Sequence, residues 1–214
     1  MLLFAPIRWT LKLVYFAVLA AAVYVVVSGF QVVTASHLPT STTGLQPARA
    51  IVVLGAPVDG SVPAADLSAR LQQALALYDA RLAPQILVTG APAQPASGTS
   101  PAEPPVTAVA STWLREHGVP ASSIEPVPAA GAPAGIAAAA AALGSGTHVI
   151  VVTDAIAALW VKGAASRSGL VAQVSPAVGS EKAVTSEIGP LWRQATAVAV
   201  GRLIGYGRTT WVGD

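Results

Sequence analysis

Short apolar runs alternate with helical patterns over most of the chain, and this alternation restricts the folds that the chain can adopt. In chain order the runs are AIVVLGA, PQILVTGA, SIEPVP, HVIVVTD and LVAQVSP. Stretches with apolar residues at helical spacing separate them, as in AADLSARLQQALALYDARL. Strands that are apolar throughout, rather than at alternate positions, are usually covered by helices on both faces. The pattern predicts an α/β fold, a Rossmann-like three-layer sandwich with a mostly parallel five-stranded sheet.

Three segments complete the predicted domain. Residues 90–105, GAPAQPASGTSPAEPP, are rich in proline, alanine and serine, which indicates a long irregular loop. Residues 131–146 are dominated by alanine, which favours a helix over a linker. Near the C-terminus, EIGPLWRQATAVAVGRLIGY predicts a last helix after the fifth strand.

The N-terminal part of the chain has a different character. No Asp, Glu, Lys or Arg occurs between Lys12 and Arg49. Residues 13–34, LVYFAVLAAAVYVVVSGFQVVT, would span about 33 Å as a helix, enough for a hydrocarbon core of about 30 Å. A cleaved signal peptide is the alternative, but this apolar segment is longer than such peptides need and TASH is a poor cleavage site. The segment therefore predicts an uncleaved membrane anchor.

The charges around this segment predict its orientation. Arg8 and Lys12 precede it, and no basic residue follows before Arg49, so the positive-inside rule places the N-terminus in the cytoplasm. The predicted organisation is a cytoplasmic N-terminus (1–12), a transmembrane helix (13–34), a linker (35–48) and an extracytoplasmic domain (49–214). We therefore expect a single-pass plasma-membrane protein, with the lipid bilayer as the partner of residues 13–34. Small residues in AVLAAAV would also allow close packing against another helix.

Charge and composition exclude several classes of function. The pI of 9.2 suggests a nucleic-acid partner, but two of the 12 basic residues precede the anchor, which leaves 10 basic and all 10 acidic residues from residue 49 onwards. An outer domain that is formally neutral and has no basic run is not expected to bind nucleic acid. The absence of cysteine excludes disulfides and thiolate catalysis. The three histidines do not cluster in the sequence, and we expect neither a metal nor a cofactor.

Open α/β sheets bind ligands beyond the carboxyl ends of their strands, so residues at the ends of the first two strands are candidate ligand contacts. The uncharged candidates come first. Gly55 and Gly60 bound a loop that could cradle an anion at a helix N-terminus. Their spacing fits neither the dinucleotide fingerprint nor the Walker A loop, so a tight turn is the alternative. Thr89 and Gly90 end the second strand, where they could contact a ligand or form a plain turn.

Arg70 and Asp154 are the charged candidates for the same crevice. Arg70 lies early in the first helix of the domain, where it could reach a phosphate or carboxylate or pair with Asp66 four residues before it. Asp154 follows the fourth strand. It could be a general base or ligand contact, or the N-cap of the helix that follows. No residue can be assigned a catalytic role from the sequence.

Several motifs in order link the chain to a known family. They are AIVVLGAPVDGSVPAADLSARLQQALALYDARLAPQILVTG, WLREHGVPASSI, VIVVTD and a Ser-Pro after the fifth strand. Their order and spacing over most of residues 49–206 resemble the SanA/YdcF/ElyC-like envelope family in its actinobacterial form. Matching positions include the six candidates above and Gly118. Many members carry one N-terminal anchor and an outward Rossmann-like domain, and the resemblance implies a role in cell-envelope maintenance.

The chain departs from the family at four groups of polar residues. The replacements are Val106 for a Glu, Ala132 and Pro133 for an Asp/Asn-Thr pair, Ala157 and Trp160 for a His and an Arg, and Gln194 for the Glu of an Arg-Glu pair after Arg193. Alanine and valine side chains cannot donate a hydrogen bond, accept a proton or bind a metal. The departures therefore indicate a site that has lost its chemistry.

The combined prediction is a membrane-anchored envelope protein whose degenerate YdcF/SanA-like domain is non-catalytic or binds a ligand weakly. Envelope proteins or a small anionic ligand are the expected partners besides the bilayer. The alternative is an active enzyme or a nucleotide-type binder that uses Arg70, Asp154 and residues 55–60. An open polar crevice beside these residues would favour the alternative, and a crevice filled by Trp160 and Pro133 would favour the degenerate site.

Overall fold

The computed structural model describes residues 44–95, 103–155 and 157–177, together with Tyr15. The predicted last helix lies outside these residues, as does the predicted transmembrane helix apart from Tyr15. Within the described ranges, no helix is both long enough and apolar enough to cross a membrane.

The domain alternates strands and helices in the predicted order and adds one small hairpin. In chain order its elements are β1 (Ala50–Val53), β2 (Val58–Asp59), β3 (Val62–Pro63), α1 (Ala65–Asp79), β4 (Ile86–Gly90), α2 (Val106–Glu116), β5 (Ile124–Pro128), α3 (Gly131–Leu143), β6 (His148–Thr153), α4 (Ala158–Arg167) and β7 (Val171–Pro176). The hairpin formed by β2 and β3 is antiparallel and lies outside the main sheet.

The main sheet has five strands in the order β5-β4-β1-β6-β7, and all of its neighbouring pairs are parallel. The chain starts in the centre, moves outwards to β5, and then returns to build the other half from β6 to β7. This order with four helices fits a Rossmann-like sandwich. The predicted α/β fold with a mostly parallel five-stranded sheet is thus confirmed for the described residues.

Alternate residues of each central strand bury their side chains on opposite faces of the sheet, as the two-residue period of a strand requires. On one face, Ile51 and Val53 pack with Leu67, Leu71 and other residues of α1 and with apolar residues of α2. The other face packs against α3 and α4, and its largest buried side chain is that of Trp160. Burial on both faces explains why these strands are continuously apolar.

Two local predictions differ from the structure. In the described parts of the segment 90–105, Gln94 and Glu103 exchange two backbone hydrogen bonds of 3.0 Å as an isolated antiparallel bridge, which the prediction of an irregular loop did not include. Helix α4 was expected directly after Asp154, but it begins at Ala158. The residues between Asp154 and α4 include a turn in which the Ala157 amide donates to the Asp154 carbonyl at 3.1 Å.

Candidate functional site

The strand order creates one position at which a ligand crevice would be expected. Strands β1 and β6 are neighbours, yet the chain leaves β1 towards β4 and leaves β6 towards β7 on the opposite side. Open α/β sheets bind ligands beyond the carboxyl ends of the strands at such a switch point. Leu54 and Gly55 directly follow β1 there, and Asp154 directly follows β6.

The guanidinium group of Arg70 occupies this switch point. Nε donates to Asp154 Oδ1 at 3.1 Å, and Nη2 donates to Asp154 Oδ2 at 2.6 Å. Nη1 donates to the backbone carbonyls of Leu54 and Gly55, both at 2.8 Å. The side chain of Arg70 is 11% exposed and that of Asp154 is 31% exposed. One side chain of α1 therefore ties the end of β1 to the end of β6.

These contacts use most of what the two charged groups can offer a ligand. A guanidinium has five N–H donors, and the four hydrogen bonds of Arg70 all end on oxygens of its own chain. Both carboxylate oxygens of Asp154 accept from Arg70, in the bidentate geometry that makes such pairs strong. It is the one ion pair whose two partners both lie in the described ranges.

The geometry decides two alternatives that the sequence left open. Arg70 pairs with Asp154, which is 84 residues away in the chain, rather than with Asp66 in its own helix. The N-cap interpretation of Asp154 is wrong, because the N-cap of α4 is Ala157 and no side chain caps that helix end. The carboxylate is directed to Arg70 instead, and the turn before α4 separates it from the first helical amides.

The apolar face of α1 explains why Arg70 reaches this position. Leu67, Leu71 and Leu77 are fully buried against the sheet, which fixes how the helix is rotated about its axis. Arg70 and Gln73 lie three residues apart and therefore on one side of the helix. Gln73 Nε2 donates to Ser175 Oγ of β7 at 2.9 Å, and both side chains are buried. Residues of α1 thus hold polar groups at the carboxyl ends of β1, β6 and β7.

The glycines predicted to approach a ligand instead allow segments of the protein to approach each other. A Cβ atom at Gly55 would lie 2.7 Å from both the Gly90 Cα and the Thr89 carbonyl oxygen. A Cβ atom at Gly90 would lie 2.6 Å from Val106 Cγ1. Gly60 has a φ of +58° and open space around it, so it serves the turn of the β2–β3 hairpin. None of the three glycines needs a ligand to account for it.

Thr89 is also occupied inside the domain. Its hydroxyl donates to the Val53 carbonyl at 3.2 Å, and the residue is 2% exposed. A Cβ atom at Gly135 in α3 would lie 2.7 Å from Thr89 Oγ1, so the threonine packs closely against that helix. Helix α3 covers the opposite face of the sheet from α1. The structure therefore does not bring Thr89 together with Arg70 into one site.

Trp160 belongs to the hydrophobic core under α3 and α4. It is 1% exposed and packs in one cluster with Ile136, Ala139 and Val151. Pro133, which was expected to share in filling the crevice, is half-buried in the first turn of α3. The indole therefore packs on the sheet face covered by α3 and α4, whereas Arg70 comes from α1 on the other face.

Two features of the site could not be assigned from the sequence. Arg70 and Asp154 were each singled out, but their pairing depends on the adjacency of β1 and β6, which only the strand order reveals. The Gln73–Ser175 hydrogen bond has no local sequence signal, apart from a polar residue in an otherwise apolar helix face. In the described parts of the chain, no three His, Asp or Glu side chains gather where they could hold a metal ion.

A scan against protein-family models found no match, and searches of curated proteins and of solved structures found none either.

Proposed function

We propose that the chain is a membrane-anchored envelope protein whose α/β domain is non-catalytic, with the charged groups of its crevice serving the fold. The observation that supports this is the set of four hydrogen bonds from Arg70 to Asp154, Leu54 and Gly55. A side chain that binds a substrate needs hydrogen-bond donors or acceptors that are not already used within the protein. The donors of Arg70 and the carboxylate oxygens of Asp154 instead join the ends of β1 and β6. A role in maintaining the envelope follows from the family resemblance.

The surroundings of the pair support the same proposal. Val106, which stands where the family usually has a glutamate, is buried and lies against Gly90. Ala157 contributes a methyl group to the core under α4 rather than an imidazole. Polar groups that could act on a substrate beside Asp154 are absent at both positions, because neither side chain can donate or accept a proton.

The anchoring part of the proposal comes from the composition of residues 13–34 and the charges that flank them. An uncleaved anchor predicts that the mature chain keeps its N-terminal residues and fractionates with membranes. N-terminal sequencing of the protein isolated from membranes tests this. A soluble mature form that begins near Ala35 would contradict it.

Thermal unfolding of the full chain in detergent tests the proposed absence of a ligand. A ligand at 100 times its dissociation constant stabilises a protein by about 2.7 kcal/mol, which gives a clear shift of the unfolding midpoint. We expect no shift from nucleotides, nucleotide-linked sugars, S-adenosyl compounds or envelope precursors. Arg70→Lys and the exposed control Arg81→Lys are measured in parallel. A shift that Arg70→Lys abolishes and Arg81→Lys preserves would contradict the proposal.

One observation favours a second candidate, a binding protein for a small anion. The Asp154 side chain is almost one third exposed, so a phosphate or carboxylate in solution can approach its pair with Arg70. An incoming anion would take over the two hydrogen bonds from Nε and Nη2 while Nη1 stayed on the carbonyls. Asp154→Asn distinguishes the candidates, because removing the competing carboxylate would strengthen anion binding in a binder. In a non-binding domain the variant would only lose stability.

A further inference from the structure

Apart from Lys162 in the middle of α4, the exposed charges of the described residues lie at one or the other edge of the sheet. Beyond the carboxyl ends of the strands lie the acidic residues Asp59, Asp66, Glu103 and Asp154, with Arg70 as the one cation there among described residues. The opposite edge, where strands begin and helices end, is defined here as the amino edge. It carries Arg49, Arg81, Arg115, Arg167, His117 and His148 against Asp79, Glu116 and Glu125, the second residue of β5, and all nine are exposed.

The chain enters the domain at this amino edge. The Ala48 amide donates to the Leu82 carbonyl at 2.7 Å, just beyond the end of α1, and the Arg49 amide donates to the carbonyl of His148 at 2.9 Å. Two further hydrogen bonds fix the preceding segment, from the Gln46 amide to Gln173 Oε1 at 2.8 Å and from Gln173 Nε2 to the Gln46 carbonyl at 3.0 Å. The last residues of the predicted linker are therefore held against the domain.

Apolar and aromatic groups accompany the charges at the amino edge. Val171, the first residue of β7, is 45% exposed and pairs in register with His148. At the end of α2, the rings of Trp113 and His117 stack with their centroids 3.6 Å apart and their planes 17° apart. Indole rings combined with cationic side chains are typical of surfaces that meet the headgroup region of a bilayer.

We propose that the amino edge docks on the anionic phospholipid headgroups of the membrane that holds residues 13–34. This inference rests on the proposed anchor. Residues 35–44 can span at most about 35 Å when extended, which keeps the amino edge within reach of the bilayer surface. Arginines act on that surface only within a Debye length of about 8 Å, so the attraction selects a docked orientation. The acidic carboxyl edge then faces away from the membrane.

The absence of cysteine from the chain makes this orientation measurable with single labels. Ser145→Cys, in the loop between α3 and β6, reports on the amino edge, and Ser61→Cys, in the β2–β3 turn, reports on the carboxyl edge. Both serines are exposed, and both substitutions change one atom. The full chain is inserted into lipid nanodiscs, and quenching of each fluorophore by a headgroup nitroxide is compared between discs containing phosphatidylglycerol and discs of phosphatidylcholine alone.

We expect strong quenching at position 145 in the phosphatidylglycerol discs, weaker quenching in phosphatidylcholine discs or high salt, and little quenching at position 61 in either. Each arginine near an anionic surface changes the ratio of docked to undocked protein by about fivefold. Arg81→Glu should therefore lower the quenching at position 145. The matched control Lys162→Glu removes an exposed cation in the middle of α4 and should leave it unchanged.

Equal quenching at the two positions, or quenching independent of lipid charge, in protein that has entered the discs would overturn the docking proposal alone. Failure of the full chain to enter discs of either composition would overturn the proposed anchor and the docking with it.

Discussion

The two edges of the sheet use their charges in opposite ways. At the carboxyl edge, where such folds usually bind ligands, Arg70 directs its hydrogen bonds inwards to Asp154 and to the end of β1. At the amino edge, Arg49, Arg81 and Arg115 are exposed. A position in the fold that is favourable for chemistry does not by itself make a site, since the donors and acceptors there also have to be available.

Removal of the Arg70 side chain should lower the free energy of unfolding more than any other single change at either edge. Arg70→Ala leaves the Leu54 and Gly55 carbonyls and the Asp154 carboxylate without their partner. Breaking a buried pair in this way costs about 3–5 kcal/mol, and the partial exposure of Asp154 lowers the expected loss to about 2–4 kcal/mol. Arg115→Ala at the amino edge should cost about 0.5 kcal/mol or less, because its hydrogen bonds stay within its own helix and are exposed. Chemical denaturation of both variants measures the difference. Similar losses of stability for Arg70→Ala and Arg115→Ala would contradict the view that only the carboxyl-edge arginine serves the fold.

A change that disturbs the close packing at the carboxyl edge should lower the stability nearly as much. Gly55→Ala places a methyl group 2.7 Å from backbone atoms of Thr89 and Gly90, which cannot move without shifting β4, so we expect a loss of about 1–3 kcal/mol. Gly60→Ala is the control, because it meets no neighbouring atom and carries only the strain of its positive φ, about 1 kcal/mol. Thermal unfolding compares the two variants. A Gly55→Ala protein as stable as the wild type would mean that the backbone of Thr89 and Gly90 does not pack closely against Gly55.

The charge of the pair can be removed while its shape is kept. Asp154→Asn retains one oxygen that can accept from Arg70 but leaves a mostly buried guanidinium without its counter-charge. We expect a loss of about 1–2 kcal/mol, which allows for the partial exposure of Asp154. Had Asp154 capped a helix, asparagine would have replaced it at almost no cost. An unchanged free energy of unfolding would therefore contradict a stabilising role for the charge of Asp154.

Loss of the Gln73–Ser175 hydrogen bond should lower the stability least. Ser175→Ala removes the oxygen that accepts from Gln73 Nε2 and leaves a buried amide group with one partner fewer, at a cost of about 1 kcal/mol. Ser166→Ala, whose exposed hydroxyl bonds the Lys162 carbonyl of its own helix, should be almost neutral. Urea denaturation resolves a difference of this size. Equal stability of both variants would mean that the Gln73–Ser175 hydrogen bond does not contribute to the stability of the domain.

Much of the fold could be predicted because its strands are short, apolar and separated by clear helical patterns. The five strands of the sheet and the helices from α1 to α4 all coincide with those patterns. The β2–β3 hairpin was not predicted, because each of its strands has only two residues and is too short to show the two-residue period of a strand. The start of α4 was misplaced because Asp154 has the chemistry of an N-cap, and tertiary pairing with Arg70 overrides that local preference.

The candidate site could be predicted as a set of residues but not as an arrangement. Gly55, Gly90 and Asp154 could be identified because each lies at the end of a predicted strand. The predicted strands are enough to place these ends at the carboxyl edge of the sheet. Whether a glycine there admits a ligand or a neighbouring backbone depends on distances between β1 and β4 that no local pattern encodes. The partner of Arg70 likewise depends on which strand lies beside β1.

A double-mutant cycle between Arg70 and Asp154 tests most directly whether the charges at the switch point serve the fold. The free energy of unfolding is measured for the full chain, for Arg70→Leu, for Asp154→Ala and for the double variant. We expect the two changes to be non-additive by about 1–3 kcal/mol, because each single change already loses the shared interaction. Additive changes, with a coupling below about 0.3 kcal/mol, would show that the pair contributes nothing to stability and would contradict a structural role for the crevice.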